Sequence, residues 1–175
     1  MPSSAASDVY TRQGNTWRTA YTGDIGRPVN LILRSPEPFR QCDYLITEST
    51  YGNRLHTPFT EAESSLLRVI RETCTLRGGK VLIPSFAIGR TQEIVYTLNN
   101  AFNAGTLPQV NVYVDSPLAV NATEIFRMHT DLMNDRVQKV MEEDPDPFGF
   151  GRLRYIKNVN ESKKLNTYKK PCVII

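Results

Sequence analysis

Apolar positions recur along this chain with two alternating periods. Residues 9–22 carry Val9, Tyr10, Trp17 and Tyr21 in loose alternation about Gly14 and Asn15, which predicts a hairpin. Pro28, Pro36 and Pro38 then break residues 28–42 into an irregular connection with one short turn of helix. Residues 43–47 read as a short buried strand. Thr60 and Glu63 form a capping-box pattern ahead of Ala62, Leu66, Leu67, Ile70 and Cys74, one face of a helix that Gly78-Gly79 ends. Val81-Leu82-Ile83 is a buried strand stopped by Pro84. A helix from about Thr91 turns Ile94, Val95, Leu98, Ala101 and Phe102 inward. Val110, Val112 and Val114 mark the next strand. Pro117 opens a further helix with Leu118, Ala122, Ile125 and Phe126 on its inner face. A helix over 134–143, a strand over 153–156, a short helix over 161–167 and a strand over 172–175 complete the series. Strands that alternate with helices predict an α/β fold, a mostly parallel sheet with helices on both faces.

In such a sheet, chemistry collects in the loops at the carboxyl ends of the strands. Four loops qualify: Glu48-Ser49-Thr50-Tyr51-Gly52, Pro84-Ser85-Phe86-Ala87-Ile88-Gly89-Arg90, Asp115-Ser116-Pro117 and Lys157-Asn158-Val159-Asn160. If all the strands are parallel, the four share one edge. In the second loop, Gly89 lets backbone amides approach a ligand, and Arg90 precedes a helix whose amino end favours an anion. A tight turn with an exposed arginine explains the same residues. Asp24 lies between Gly23 and Gly26 and reads either as a loop cap or as a metal ligand. Glu48 is either an exposed loop acid or one that tunes a neighbour. His56 reads as a loop histidine, and His129 as a cation at a helix end.

Length and composition narrow the class. At 175 residues, 40% hydrophobic and 22% charged, the chain has the make-up of a globular domain. No apolar run approaches the roughly 18 residues that span a bilayer, which argues against a membrane protein. No secretion signal is visible at the amino end, which favours the cytoplasm. Cys42, Cys74 and Cys172 are too few and too scattered for a disulfide framework or a cysteine zinc site. The net charge of +3 is uneven. Residues 61–144 hold eight basic and eleven acidic side chains, whereas residues 145–175 hold seven basic and two acidic ones. That basic end is either a solvated face or a surface that attracts phosphates. Neither GxGxxG, nor a P-loop, nor a GxSxG elbow is present.

Four motifs, in order, carry a resemblance: Thr22-Gly23-Asp24-Ile25-Gly26-Arg27, Glu48-Ser49-Thr50-Tyr51-Gly52-Asn53, Pro84-Ser85-Phe86-Ala87-Ile88-Gly89-Arg90-Thr91-Gln92-Glu93 and Val114-Asp115-Ser116-Pro117-Leu118-Ala119. Together they resemble the metallo-β-lactamase-fold nucleases that carry a β-CASP domain, the family of mRNA 3′-end cleavage factors and RNA-processing exonucleases. The resemblance implies phosphodiester hydrolysis, mostly of single-stranded RNA, at two zinc ions. It implies that Asp24 is a bridging metal ligand and that Glu48 is a supporting acid orienting a histidine further along the chain. It implies that Ser85, Gly89, Arg90, Asp115 and Ser116 face the substrate cleft. Residues 1–52 are then the end of one half of a metallo-β-lactamase-like domain, and residues 53–175 a β-CASP domain cut short. The family's HxHxDH motif and its later histidines are absent from this sequence. The resemblance therefore implies an internal piece of a nuclease, inactive alone and unable to hold the zinc pair. An RNA- or protein-binding module without chemistry is the alternative. So is a structural fragment that self-associates through an apolar face left bare by the missing remainder of the nuclease domain.

Overall fold

The computed structural model describes residues 6–12, 15–38, 41–55 and 59–175. The chain divides into two compact units, Met1–His56 and Thr57–Ile175.

The first unit holds a three-stranded sheet in the order β1-β2-β3. β1 (Ala6–Arg12) pairs antiparallel with β2 (Asn15–Tyr21), the expected hairpin. Its expected turn residue, Gly14, lies outside the described residues. β3 (Tyr44–Ile46) adds in parallel to β2, with Thr19 beside Tyr44 and Tyr21 beside Ile46. The sequence pattern predicts a buried β3, yet Tyr44, Leu45 and Ile46 are all more than half exposed. It is an edge strand three residues long, and a short apolar run does not reveal whether anything covers it. The expected turn of helix in 28–42 does not form among its described residues. Asn30 instead folds that segment into a turn, its Oδ1 accepting from the amides of Ile32 and Leu33.

The second unit is a four-stranded, wholly parallel sheet in the order β4-β7-β5-β6, formed by β4 (Lys80–Leu82), β5 (Asn111–Val114), β6 (Leu153–Tyr155) and β7 (Cys172–Ile174). The register sets Val81, Val173, Val112 and Leu153 side by side across all four strands. That row packs against α1 (Phe59–Ile70) and α2 (Arg90–Asn103) through Ile70 and Leu98. Residues one step along each strand point to the opposite face. There Tyr113 and Cys172 meet Leu165 of α5 (Val159–Thr167). The sheet thus has helices on both faces, as expected. Fully burying each such valine or leucine contributes about 1.5–3 kcal/mol.

The helices depart from expectation in informative ways. α1 begins at Phe59, so Thr60 lies within it rather than at its cap. The α-helix stops at Ile70, and residues Arg71–Leu76 continue as a π-helix. Leu82, read from the sequence as buried, is 69% exposed, because it stands on edge strand β4, facing away from the row of valines that α1 and α2 cover. α3 (Pro117–Met128) buries Ala119, Val120, Ala122 and Thr123, whereas Leu118 and Ile125, expected inside, are 60% and 54% exposed. The helix is rotated from its apolar stripe because Thr123 can be buried without penalty. Its hydroxyl donates to the Ala119 carbonyl at 2.8 Å and accepts from Gln92 at 2.9 Å. Phe102 stays on the rim, 36% exposed, with its ring 5.2 Å from that of Phe150. α4 (Asp135–Met141) is capped by Asn134. α5 starts two residues ahead of expectation because Asn158 caps it, accepting from the Glu161 amide at 2.8 Å.

Only three of the four chemistry-bearing loops share an edge. Those after β4, β5 and β6 lie at the carboxyl ends of one parallel sheet. The 48–52 loop follows β3, a strand of the other sheet, so the single-edge expectation fails for it. The alternation along the sequence does not separate two sheets, because β3 and β4 look alike as short apolar runs.

Candidate functional site

The loop between β4 and α2 is built around a buried glutamine. Gln92 is wholly buried. Its Oε1 accepts from the Gly89 amide at 2.7 Å, and its Nε2 donates to the Ala87 carbonyl at 3.1 Å and to Thr123 on α3. One side chain thereby pins two points of the loop and ties it to a neighbouring helix. Thr91 closes the remainder, its hydroxyl 2.8 Å from that of Ser85 and bonded to the Phe86 carbonyl at 2.9 Å. Gly89 sits at φ +82°, a left-handed conformation that any side chain would strain. The outcome is a rigid loop that holds Phe86 and Ile88 in solvent, 85% and 65% exposed.

The amides expected to receive an anion are already used. Gly89 N–H goes to Gln92, Arg90 N–H to the Ile88 carbonyl and Thr91 N–H to the Phe86 carbonyl. The expectation of a backbone amide cradle at Gly89 and Arg90 is therefore corrected: the tight turn consumes those donors itself. Arg90 is half-exposed and paired with Glu93, Nη1 to Oε2 at 2.6 Å. An exposed pair of this kind is weak and exchanges partners readily. Ser85 spends its hydroxyl on Thr91, and Ser116 is the cap of α3, accepting from the Ala119 amide at 3.2 Å. Asp115 accepts from Ser162 of α5 at 2.9 Å, while its own amide extends the ladder to the Ile175 carbonyl. Sequence reasoning missed Gln92 and Ser162 as positioning residues. Their partners lie 31 and 47 residues away, and no local pattern signals such pairings.

In the first unit, Asp24 lies on the loop after β2, exposed and without a hydrogen-bond partner among the described residues. Glu48 braces that loop. Its Oε1 accepts from the Ile25 amide at 2.9 Å and the Gly26 amide at 3.4 Å, and its Oε2 from the Thr50 hydroxyl at 2.8 Å. The Thr22 amide adds a bond to the Ile46 carbonyl at 3.0 Å. The hydrogen bond from Thr50, then those from Gly26 and Ile25, hold the Glu48 carboxyl below its ordinary pKa. The sign follows directly. A depressed pKa stabilises the braced loop above the ordinary carboxylate value, and the brace is lost as pH falls through the lowered one. The Ile25 and Gly26 amide resonances should therefore hold constant down through the usual glutamate range and move together only below it. Movement centred at the ordinary glutamate value would contradict the brace.

Two zinc ions need several converging N, O or S ligands. Among the described residues, no three His, Cys, Asp or Glu side chains are grouped to hold a metal ion. Asp24 by itself does not fit a zinc pair. His56 lies outside the described residues. His129 follows α3, its amide bonded to the carbonyls of Ile125 and Phe126.

A parallel α/β unit whose carboxyl-edge loops are locked by buried polar side chains defines the architectural class. Residues 91–175 match the Beta-Casp domain. The chain is 32% identical over 163 residues to Ribonuclease TTHA0252 of Thermus thermophilus, covering 93% of this chain and 37% of that protein. It is 38% identical over 158 residues to an RNase J-like protein of Methanocaldococcus jannaschii, covering 89% and 35%. It is 35% identical over 150 residues to Endoribonuclease YSH1 of Eremothecium gossypii, covering 82% and 19%. Residues 91–175 belong to the Beta-Casp domain family, and the chain spans between 19% and 37% of the length of these relatives.

Proposed function

We propose that this chain supplies the substrate-gripping part of a metal-dependent ribonuclease that acts on single-stranded RNA in the cytoplasm, with zinc as its metal. Residues 53–175 are its β-CASP domain, and residues 1–52 belong to a metallo-β-lactamase-like half. Asp24 is one metal ligand, held in place by Glu48. The ions are not held by this chain alone, which is then inactive in hydrolysis. The observation that carries the reading is the locked 85–90 loop, which holds an aromatic and an aliphatic side chain in solvent beside an arginine in a chain related to ribonucleases. An exposed aromatic next to a cation suits a base stacked over a phosphate. Arg90 reaches that phosphate by leaving Glu93, while Asp115 and the Ser116 cap set the neighbouring wall.

Titration of a labelled single-stranded 12-mer RNA tests this. Phe86→Ala should weaken binding about tenfold, within the roughly 1–3 kcal/mol of one stacked base. Arg90→Ala should weaken it severalfold and flatten its salt dependence. Unchanged affinity in both variants, or no binding at low salt, would overturn the proposal. Salt-dependent binding that survives full zinc loading and persists with no cleavage in any longer form of the protein would favour a non-catalytic binding module.

A further inference from the structure

A second polar feature lies at the opposite edge of the parallel sheet. A groove of about 280 Å³ runs across the amino ends of β7, β5 and β6, three neighbouring strands. Arg152 lies just before β6, Lys170 just before β7, and Asn111 opens β5. Gln109, Tyr168 and Thr75 complete its polar lining. Among the described residues, no carboxylate lines it. Neither Arg152 nor Lys170 has a carboxylate within ion-pair distance among the described residues. Among the described residues, the Arg152 guanidinium makes one long bond, 3.3 Å, to Gln109. Two uncompensated cations around a concave, carboxylate-free floor attract an anion.

Three further observations point the same way. Thr75 sits in the π-helical segment Arg71–Leu76, a distortion found frequently at functional sites. Tyr168 is fixed from two sides, its hydroxyl accepting from Asn111 at 3.2 Å and its ring edge-on to Tyr113 at 5.8 Å. Lys163, Lys164 and Lys169 extend the basic character along α5 and towards β7, so the surplus of positive charge over 145–175 has a place in the fold. Fixed aromatic, amide donor and paired cations together suit a phosphodiester next to a nucleobase better than a bare carboxylate.

We propose that this groove, formed by Arg152, Lys170, Asn111 and Tyr168 at the amino edge of the sheet, is a second phosphodiester-binding subsite that holds the RNA strand away from the carboxyl-edge loops. The proposal rests on the RNA reading above. A strand held at two opposite edges of one domain is gripped well beyond the nucleotide at the 85–90 loop.

The test is amide and side-chain NMR mapping of the isotope-labelled chain with an oligouridylate 8-mer, and separately with pyrophosphate. Both ligands should shift Thr75, Asn111, Tyr168 and Lys170. The double variant Arg152→Gln/Lys170→Gln should weaken the 8-mer about tenfold and lower its salt slope by about 1.4, at about 0.7 per lost contact to single-stranded nucleic acid. An unchanged melting temperature of that variant shows that it is folded. Shifts confined to the 85–90 loop, with affinity untouched by the double variant, would overturn the subsite and leave the RNA reading standing. Pyrophosphate shifts without any oligouridylate binding would overturn both as claims about RNA. No shift with either ligand would likewise overturn both.

Discussion

Gln92→Leu should destabilise the chain by about 3 kcal/mol. The substitution keeps the volume and removes every polar atom from a wholly buried site. The Gly89 amide then loses its acceptor, and the Ala87 carbonyl and Thr123 hydroxyl lose a donor. An unsatisfied buried group costs about 1–3 kcal/mol, and the half-buried Gly89 amide makes no other hydrogen bond among the described residues. Thr123 retains the Ala119 carbonyl and is hurt less. Against a total stability of about 5–15 kcal/mol, the loss is large. Urea unfolding reads it as a lower midpoint at unchanged slope. Gln92→Glu separates the parts, because it keeps the acceptor for Gly89 while burying a charge or its proton. A loss under about 1 kcal/mol for Gln92→Leu would mean that the loop is not held by this side chain.

Arg127→Met should cost about 2 kcal/mol through a different network. Arg127 grips Asp146 with two parallel bonds, Nε to Oδ1 at 2.9 Å and Nη2 to Oδ2 at 2.8 Å. It also meets Glu124 at 2.9 Å and the Phe148 carbonyl at 3.2 Å, and lies 5.4 Å over the ring of Tyr155. These bonds join α3 to the 145–148 segment and to β6, and they wall a cavity of about 340 Å³ with Met133, Met141 and Phe148. Asp146 is half-exposed, so solvent screens the pair and its loss costs less than that of a buried bidentate bridge. Tyr155 supplies a second readout. Burial pushes its phenol up to about 12, and the Arg127 cation opposes that rise. Removing Arg127 should therefore move the Tyr155 ionisation still higher in an alkaline absorbance titration. Arg127→Lys keeps the charge without the fork and should recover only part of the stability. A tyrosine titration that shifts downward, or no loss of stability, would contradict this account of the network.

How far the fold can be read from the sequence depends on how local each cause is. The valines of β5 and the helical stripe of α2 announce themselves because period and burial agree. Pro117 marks the start of α3 correctly because it fills the first turn, whereas the capping role of Ser116 emerges only in the structure. The inner face of α3 is misread because apolarity alone ranks Leu118 and Ile125 above Ala119 and Thr123. Only the distant Gln92 makes Thr123 a core residue. β3 and Leu82 of β4 are misread as buried, since edge and centre are properties of the sheet rather than of the strand. The π-helix at Arg71–Leu76 has no sequence sign that we recognise.

The candidate site divides in the same way. Phe86, Gly89 and Arg90 stand together in one motif, so the order of residues along the chain is enough to pick out the loop. Its inner wiring is not legible there, because the amides at Gly89 and Arg90 look equally free until Gln92 and the Ile88 carbonyl are seen to take them. The role of Glu48 in bracing the loop that carries Asp24 spans 22 and 23 residues and is likewise invisible in sequence.

Zero-length photocrosslinking of a 4-thiouridine-substituted RNA to the chain, with the attached peptide identified by mass spectrometry, tests the central claim most directly. RNA gripped at the carboxyl edge of the parallel sheet predicts adducts on Phe86 or its immediate neighbours in the 85–90 loop, lost on Phe86→Ala. Adducts that never include that loop, under conditions where the RNA is bound, would contradict it.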